Sequence, residues 1–278
     1  MKRPKINKVA VIPALFSLGN FVSGFAAITL AIKAAKLGIA TGDGSFALYL
    51  SAMCVCFSMV FDLLDGRVAR MTGGESAFGV EIDSLSDAVS FGVAPAAMVK
   101  VLLDHINFPG RSGWVLVAGF ACFSVMRLAR YNSEKDVQPS ERFSGLPTPA
   151  AAGAVVSLVM LYLECTVYSL KGVMPDWFVM VLPRFLPVYM LGLGLLMVSR
   201  VRYSHLGRKL LSGRKPFTHI VILTMMVILA ALRLEITLAI GFTLYVVMGP
   251  VFEFVRFLAA QVRPHKDESE LAEAEKKA

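Results

Sequence analysis

FALYLSAMCVCFSMVFDLLDG, residues 46–66, decides the fold class. From Phe46 to Phe61 it carries no charged side chain. Its length matches the roughly 20 helical residues needed to cross about 30 Å of hydrocarbon. In that solvent an α-helix satisfies its backbone polar groups internally. The run ends on Asp62 and Asp65, whose i,i+3 spacing places both carboxylates on one helix face.

Working outward, comparable apolar stretches recur near 11–35, 83–103, 114–131, 148–169, 180–199, 217–233 and 236–255. With 46–66 they make about eight candidate spans. The fourth and seventh are short. The sixth holds Pro183 and Pro187, which predicts an interfacial start or a kink rather than a straight span. The composition agrees. Of the 278 residues, 56% are hydrophobic and 17% charged, against about 25% charged in a typical soluble domain. Mean hydropathy is +0.66. A soluble enzyme, a disordered chain and a secreted disulfide scaffold are all disfavoured, and the expectation is an all-α polytopic membrane protein.

The net charge of +8 has a direction. The N-terminal tail, the loops after spans two, four and six, and the C-terminal tail together hold 21 of the 28 Lys and Arg residues. Positive-inside bias therefore predicts both termini in the cytoplasm and an even number of spans. Residues 1–10 read as a cytoplasmic tail, 201–216 as a basic cytoplasmic loop, 217–258 as two further transmembrane helices and 259–278 as a charged tail. Anionic lipid headgroups, not nucleic acid, are the expected partners of Arg214, Lys215 and their neighbours. The basic start resembles a signal peptide, but its apolar run exceeds a typical h-region, so cleavage is not expected. Cys54, Cys56, Cys122 and Cys165 lie in apolar spans without metal-ligand spacing and read as packing. The four His are scattered, which speaks against a His-based metal site.

The informative stretch is 61–96, FDLLDGRVARMTGGESAFGVEIDSLSDAVSFGVAPA. Asp83 and Asp87 are four apart at the start of span three, so they too share a helix face. Two helices joined by a short loop can aim both carboxylate pairs at one point. Four carboxylates so close repel, and a hard divalent cation resolves the repulsion; oxygen-only ligands favour Mg²⁺, Mn²⁺ or Ca²⁺. The alternative is that the aspartates decorate helix ends, but ionisable groups bordering a span are a functional hypothesis by default. Gly66 and Gly79 each remove a Cβ where a ligand or helix could approach, and Arg70 is placed to meet a phosphate. Carboxylates, metal and arginine together suit phosphoryl transfer.

Asp62-x2-Asp65-Gly66-x2-Ala69-Arg70-x8-Gly79-x3-Asp83-x3-Asp87 resembles the signature of the CDP-alcohol phosphatidyltransferases at every fixed position. The resemblance implies a membrane enzyme with a six-helix catalytic domain, here 11–200, that joins a CDP-linked lipid to an alcohol and releases CMP. It implies that Asp62, Asp65, Asp83 and Asp87 hold a binuclear divalent metal centre, Mg²⁺ or Mn²⁺. Asp87 would also be the general base. Gly66, Ala69, Arg70 and Gly79 would line the cytidine diphosphate site. SLGNFVSGF at 17–25, FGVEIDSLSDAVSFGVAPA at 78–96, RLARYN at 127–132 and RFSGLPTPAAAG at 142–153 are similar to the phosphatidylserine synthases of this superfamily. That implies CDP-diacylglycerol as donor, L-serine as acceptor and a bacterial inner membrane with the active site facing the cytoplasm.

A free amino acid carries a carboxylate, and an arginine fork pairs well with one. Arg127, Arg130 and Arg142 are the candidate acceptor residues, set against the alternative that they follow positive-inside bias or meet lipid phosphates. Asn132 and Ser144 are weaker candidates. Asn20, mid-span, either lines the nucleotide site or bonds to a neighbouring helix. Gly145-Leu-Pro147-Thr-Pro149 either opens a helix or shapes the acceptor pocket. Rival functions are the same chemistry on glycerol phosphate, inositol phosphate or choline, a cation transporter, and a non-catalytic scaffold. The oligomeric state is open, with a homodimer as one candidate.

Overall fold

A computed structural model describes residues 11–72, 77–135, 145–167, 174–201, 203 and 232–262. The helices are α1 (Val11–Leu37), α2 (Gly42–Thr72), α3 (Ala77–Asp87), α4 (Ala94–His105), α5 (Gly110–Lys135), α6 (Thr148–Thr166), α7 (Asp176–Val198) and α8 (Leu234–Val262). A π-helical segment, Ala88–Val93, joins α3 to α4 in one continuous rod. Among the described residues, seven helical segments are long and apolar enough to cross a membrane, α3–α4 counting as one. The eighth expected stretch, 217–233, lies outside the described residues apart from its last two positions.

Long-range hydrogen bonds place the ends. Ser17 of α1 donates to Asp65 of α2, Asn20 of α1 to Asp87 of α3, and Arg130 of α5 to the Val198 carbonyl of α7. The Leu146 N–H, just before α6, donates to the Leu196 carbonyl at 3.1 Å. One end of the bundle therefore collects the starts of α1, α3 and α6 and the ends of α2, α5 and α7. At the other end the Tyr49 hydroxyl donates to Glu235 Oε1 at 2.6 Å, fastening the start of α8 beside the first half of α2. Tyr203, which follows α7, donates to the Val246 carbonyl at 3.1 Å. Tyr203 is thus at the aspartate end and Glu235 at the opposite one.

The core sits around α6. Ala151 to Val156 are all buried, so this helix is enclosed on every face. Its small side chains permit that, because close helix approach in a bilayer rests on packing and not on a hydrophobic drive. Phe242 of α8 fills the space over Gly153. Pro147 caps the α6 start in an extended conformation with Pro149 in the first turn, the helix-opening role open to that segment. α7 begins at Asp176 and runs as one helix through Pro183 and Pro187, both buried, so of the two readings of these prolines the interfacial start is not met. Neighbouring helices around a transmembrane proline let it be accommodated within a span.

Candidate active site

The C-terminal part of α2 carries Asp62 and Asp65, and α3 carries Asp83 and Asp87. Asp62, Asp83 and Asp87 each bring a carboxylate oxygen to within 4.8 Å of the others. At that spacing each pair of unit charges repels by about 3–4 kcal/mol for an effective dielectric constant near 20. Three such pairs amount to about 10 kcal/mol, comparable with the whole stability of a typical domain. A cation offsets this. An all-oxygen, carboxylate-rich donor set fits a hard divalent ion.

Asp65 is buried beside this trio, within electrostatic reach of Asp83 and Asp62, and its Oδ2 accepts the Ser17 hydroxyl at 3.1 Å. Asp87 is buried, and its Oδ1 accepts the Asn20 side-chain amide at 2.9 Å. Both partners come from α1. Asn20 thus makes the interhelical bond that was one of its two sequence readings. Ser17 is a partner that sequence reading missed as a site residue; its only signal was its place at the head of the SLGNFVSGF stretch. Asn132 of α5 donates to Ser84 Oγ at 2.9 Å, next to Asp83.

The rod changes register immediately after the aspartates. The Ala94 N–H donates to the Val89 carbonyl, five residues back. One extra residue per turn rotates the following side chains by about 100°. Ser90 of this π segment is buried and donates to the Asn20 main-chain carbonyl at 2.9 Å. A Cβ at Gly24 would lie 2.2 Å from Ser90 Oγ, and one at Gly92 would lie 2.9 Å from Ser124 Oγ. The π segment is therefore pressed between α1 and α5. The residue types of Ala88–Val93 carry no local signal for a π turn.

Gly66 faces open space, with nothing within 4 Å of where its Cβ would be. It leaves room beside Asp65 for a ligand. Ala69 lies half-buried one helical turn beyond Asp65, and Gly79 one turn before Asp83. The Arg70 side chain, Arg142 and Ser144 lie outside the described residues. The remaining candidate arginines separate. Arg127 is within electrostatic reach of Asp87 and Asp62 and of the Tyr131 and Tyr245 phenols. Its guanidinium carbon sits 5.5 Å from the Tyr131 ring centroid. Arg130 instead donates to the Val198 carbonyl at 3.2 Å, the usual service of a basic side chain at a helix C-terminus.

This polar end of an apolar bundle matches a known family. The family model for CDP-alcohol phosphatidyltransferase covers residues 10–186, well over half the chain and all four aspartates. The chain belongs to the CDP-alcohol phosphatidyltransferase family. As a phosphatidyltransferase of this family it is an enzyme of a divalent-metal-dependent class, and Asp62, Asp83 and Asp87 form a cluster that could hold such an ion. It is similar to a Helicobacter pylori protein named CDP-diacylglycerol–serine O-phosphatidyltransferase, 31% identical over 93% of this chain and 95% of that one. It is also similar to a protein of the same name from Methanocaldococcus jannaschii, 32% identical over 66% of this chain and 77% of that one. An archaetidylserine synthase from Methanothermobacter thermautotrophicus is 35% identical over 58% of this chain and 62% of its own.

Proposed function

We propose that this phosphatidyltransferase transfers the phosphatidyl group of CDP-diacylglycerol to the hydroxyl of L-serine, giving phosphatidylserine and CMP. The trio of carboxylates within 4.8 Å of one another at one end of an apolar helical bundle carries the phosphoryl-transfer half of this reading. The near full-length likeness to the serine enzyme of Helicobacter pylori supports serine as the acceptor.

Asp62, Asp65, Asp83 and Asp87 would hold the divalent metal, two Mg²⁺ or Mn²⁺ ions. When bound, the metal neutralises charge on the pyrophosphate oxygens. The residues of the chain do the rest. Asp87 accepts the proton of the serine hydroxyl as its oxygen bonds to the lipid-side phosphorus. The bond from that phosphorus to the oxygen of the CMP phosphate breaks, and CMP leaves. Gly66, Ala69 and Gly79 border the nucleotide, and Arg70 pairs with its phosphates. Arg127, with Arg142 later in the chain, holds the serine carboxylate, while Arg130 holds the end of α7. The aspartate end faces the cytoplasm, with both chain termini, in a bacterial inner membrane. This orientation follows from the 21 basic residues on that side. CDP-diacylglycerol reaches the site laterally from the bilayer, among other membrane lipids, and serine arrives from the cytosol.

The test uses purified protein, CDP-diacylglycerol, labelled serine and Mn²⁺ or Mg²⁺. Metal-dependent labelling of lipid is expected, with the label lost in Asp87→Asn. Folded protein that labels lipid with glycerol phosphate, inositol phosphate or choline in preference to serine would overturn the acceptor assignment.

A further inference from the structure

Asn20 lies in the middle of an apolar helix and is fully buried. Its amide nitrogen donates to Asp87 Oδ1 at 2.9 Å. Its Oδ1 is buried and has no hydrogen-bond partner among the described residues. Its main-chain carbonyl accepts two hydroxyls, Ser58 of α2 at 3.2 Å and Ser90 of the π segment at 2.9 Å. Both serines are themselves fully buried. One residue of α1 is thus gripped by α2 and by the π segment, and in turn grips the carboxylate that immediately precedes that segment.

The Asn20 amide donates to a buried carboxylate but leaves its own carbonyl oxygen buried without a partner among the described residues, so as a packing element it forfeits part of what the bond gains. What an apolar side chain cannot do is hold one oxygen of Asp87 by a hydrogen bond while the carboxylate stays within 4.8 Å of those of Asp62 and Asp83. Nor does the amide read as a nucleotide contact, since the residue is fully buried and one of its two N–H groups is committed to Asp87.

We infer that Asn20 is the positioning residue for Asp87. It fixes the carboxylate's rotamer, and the serine pair on its main-chain carbonyl fixes the height of α1 against α2 and the π segment. This rests on the reading of Asp87 as base and metal ligand, in the way that outer partners orient first ligands in metal sites.

The experiment compares wild type, Asn20→Leu, Ser90→Ala, Asp87→Asn and the Asn20→Leu/Asp87→Asn double variant as full chains in detergent. Wild-type turnover with CDP-diacylglycerol and serine, lost in Asp87→Asn, first tests the underlying reading independently of Asn20. For Asn20→Leu, only a small change in thermal stability is expected, because the loss of the Asp87 donor is offset by removal of the unpaired Asn20 oxygen. At saturating Mn²⁺, kcat should fall about 10–100-fold, and direct Mn²⁺ binding should weaken in the same direction. The KM values for CDP-diacylglycerol and serine should stay within about threefold, because no substrate contact is removed. Ser90→Ala should move kcat the same way by a smaller factor. Mn²⁺ binding should be equal in Asp87→Asn and the double variant, since Asn20 acts through Asp87. A rise in the KM for CDP-diacylglycerol with kcat unchanged would make Asn20 a nucleotide contact. A loss of stability that alone accounts for the loss of activity would make it a packing residue. Either result overturns the inference. If Asn20→Leu does not accumulate, Asn20→Ala and the double-variant Mn²⁺ measurement carry the same outcomes.

Discussion

Replacing Gly24 with alanine tests how the bundle holds its aspartates. The added Cβ would sit 2.2 Å from Ser90 Oγ and 2.7 Å from Ser90 Cα. The hydroxyl can rotate away, but the Cα is backbone and cannot. Carbon atoms settle near 3.5–4.0 Å, so α1 and the π segment must part by about 0.8 Å or more. Overpacking of this kind costs about 1–3 kcal/mol. The same displacement acts one helical turn away, at Asn20. There a bond of 2.9 Å to Asp87, lengthened by that amount, passes beyond useful hydrogen-bond range. Misplacing a reacting group by about 1 Å can cost 10²-fold in rate. The expected result for Gly24→Ala is therefore an apparent melting temperature several degrees lower and a kcat down by about two orders of magnitude. Thermal unfolding in detergent and initial rates with labelled serine measure the two. Gly241→Ala is the control. Its Cβ meets nothing within 4 Å, so the helix should gain slightly from the better helix former. Gly24→Ala with wild-type stability and rate would refute both the close contact and its link to Asp87.

Three further outcomes follow from the geometry. Gly66→Ala should fold at least as well as wild type, because its Cβ enters open space, yet raise the KM for CDP-diacylglycerol by tenfold or so if that space admits substrate; an unchanged KM would remove Gly66 from the nucleotide site. Arg127→Gln should raise the KM for serine by about 10–100-fold, as expected for loss of a charge-assisted pair, whereas Arg130→Gln should mainly lower thermal stability through its lost bond to Val198; equal kinetic effects at both positions would refute the separation. Removing divalent metal with EDTA should abolish turnover and lower the melting temperature, with Mn²⁺ or Mg²⁺ restoring both, since uncompensated carboxylates repel; metal-independent turnover would sink the assignment of the aspartate cluster.

The spans and the two aspartate pairs were legible because both depend on short-range properties. Whether a residue run suits hydrocarbon is set by its own side chains, and Asp62/Asp65 and Asp83/Asp87 share faces through local helix geometry. Span edges were less legible: α2 begins at Gly42 and continues to Thr72, past the apolar run, because polar residues at bundle ends are carried by neighbouring helices. Pro183 and Pro187 sit inside α7 and not at its start, because packing by neighbouring helices can accommodate a proline within a span.

By itself the sequence determined an all-helical membrane chain, the carboxylates available for a metal and the family to which they belong. Only the tertiary structure decided which partners those carboxylates receive. Ser17 meets Asp65 across 48 positions and Asn20 meets Asp87 across 67. The π turn after Asp87 aims Ser90 at α1, and Arg127 and Arg130, three residues apart, part company between the carboxylates and a helix end. Each of these outcomes depends on how one helix is rotated against another. That rotation is set by the packing of whole faces, through glycines such as Gly24 and Gly92, and no local spacing encodes it.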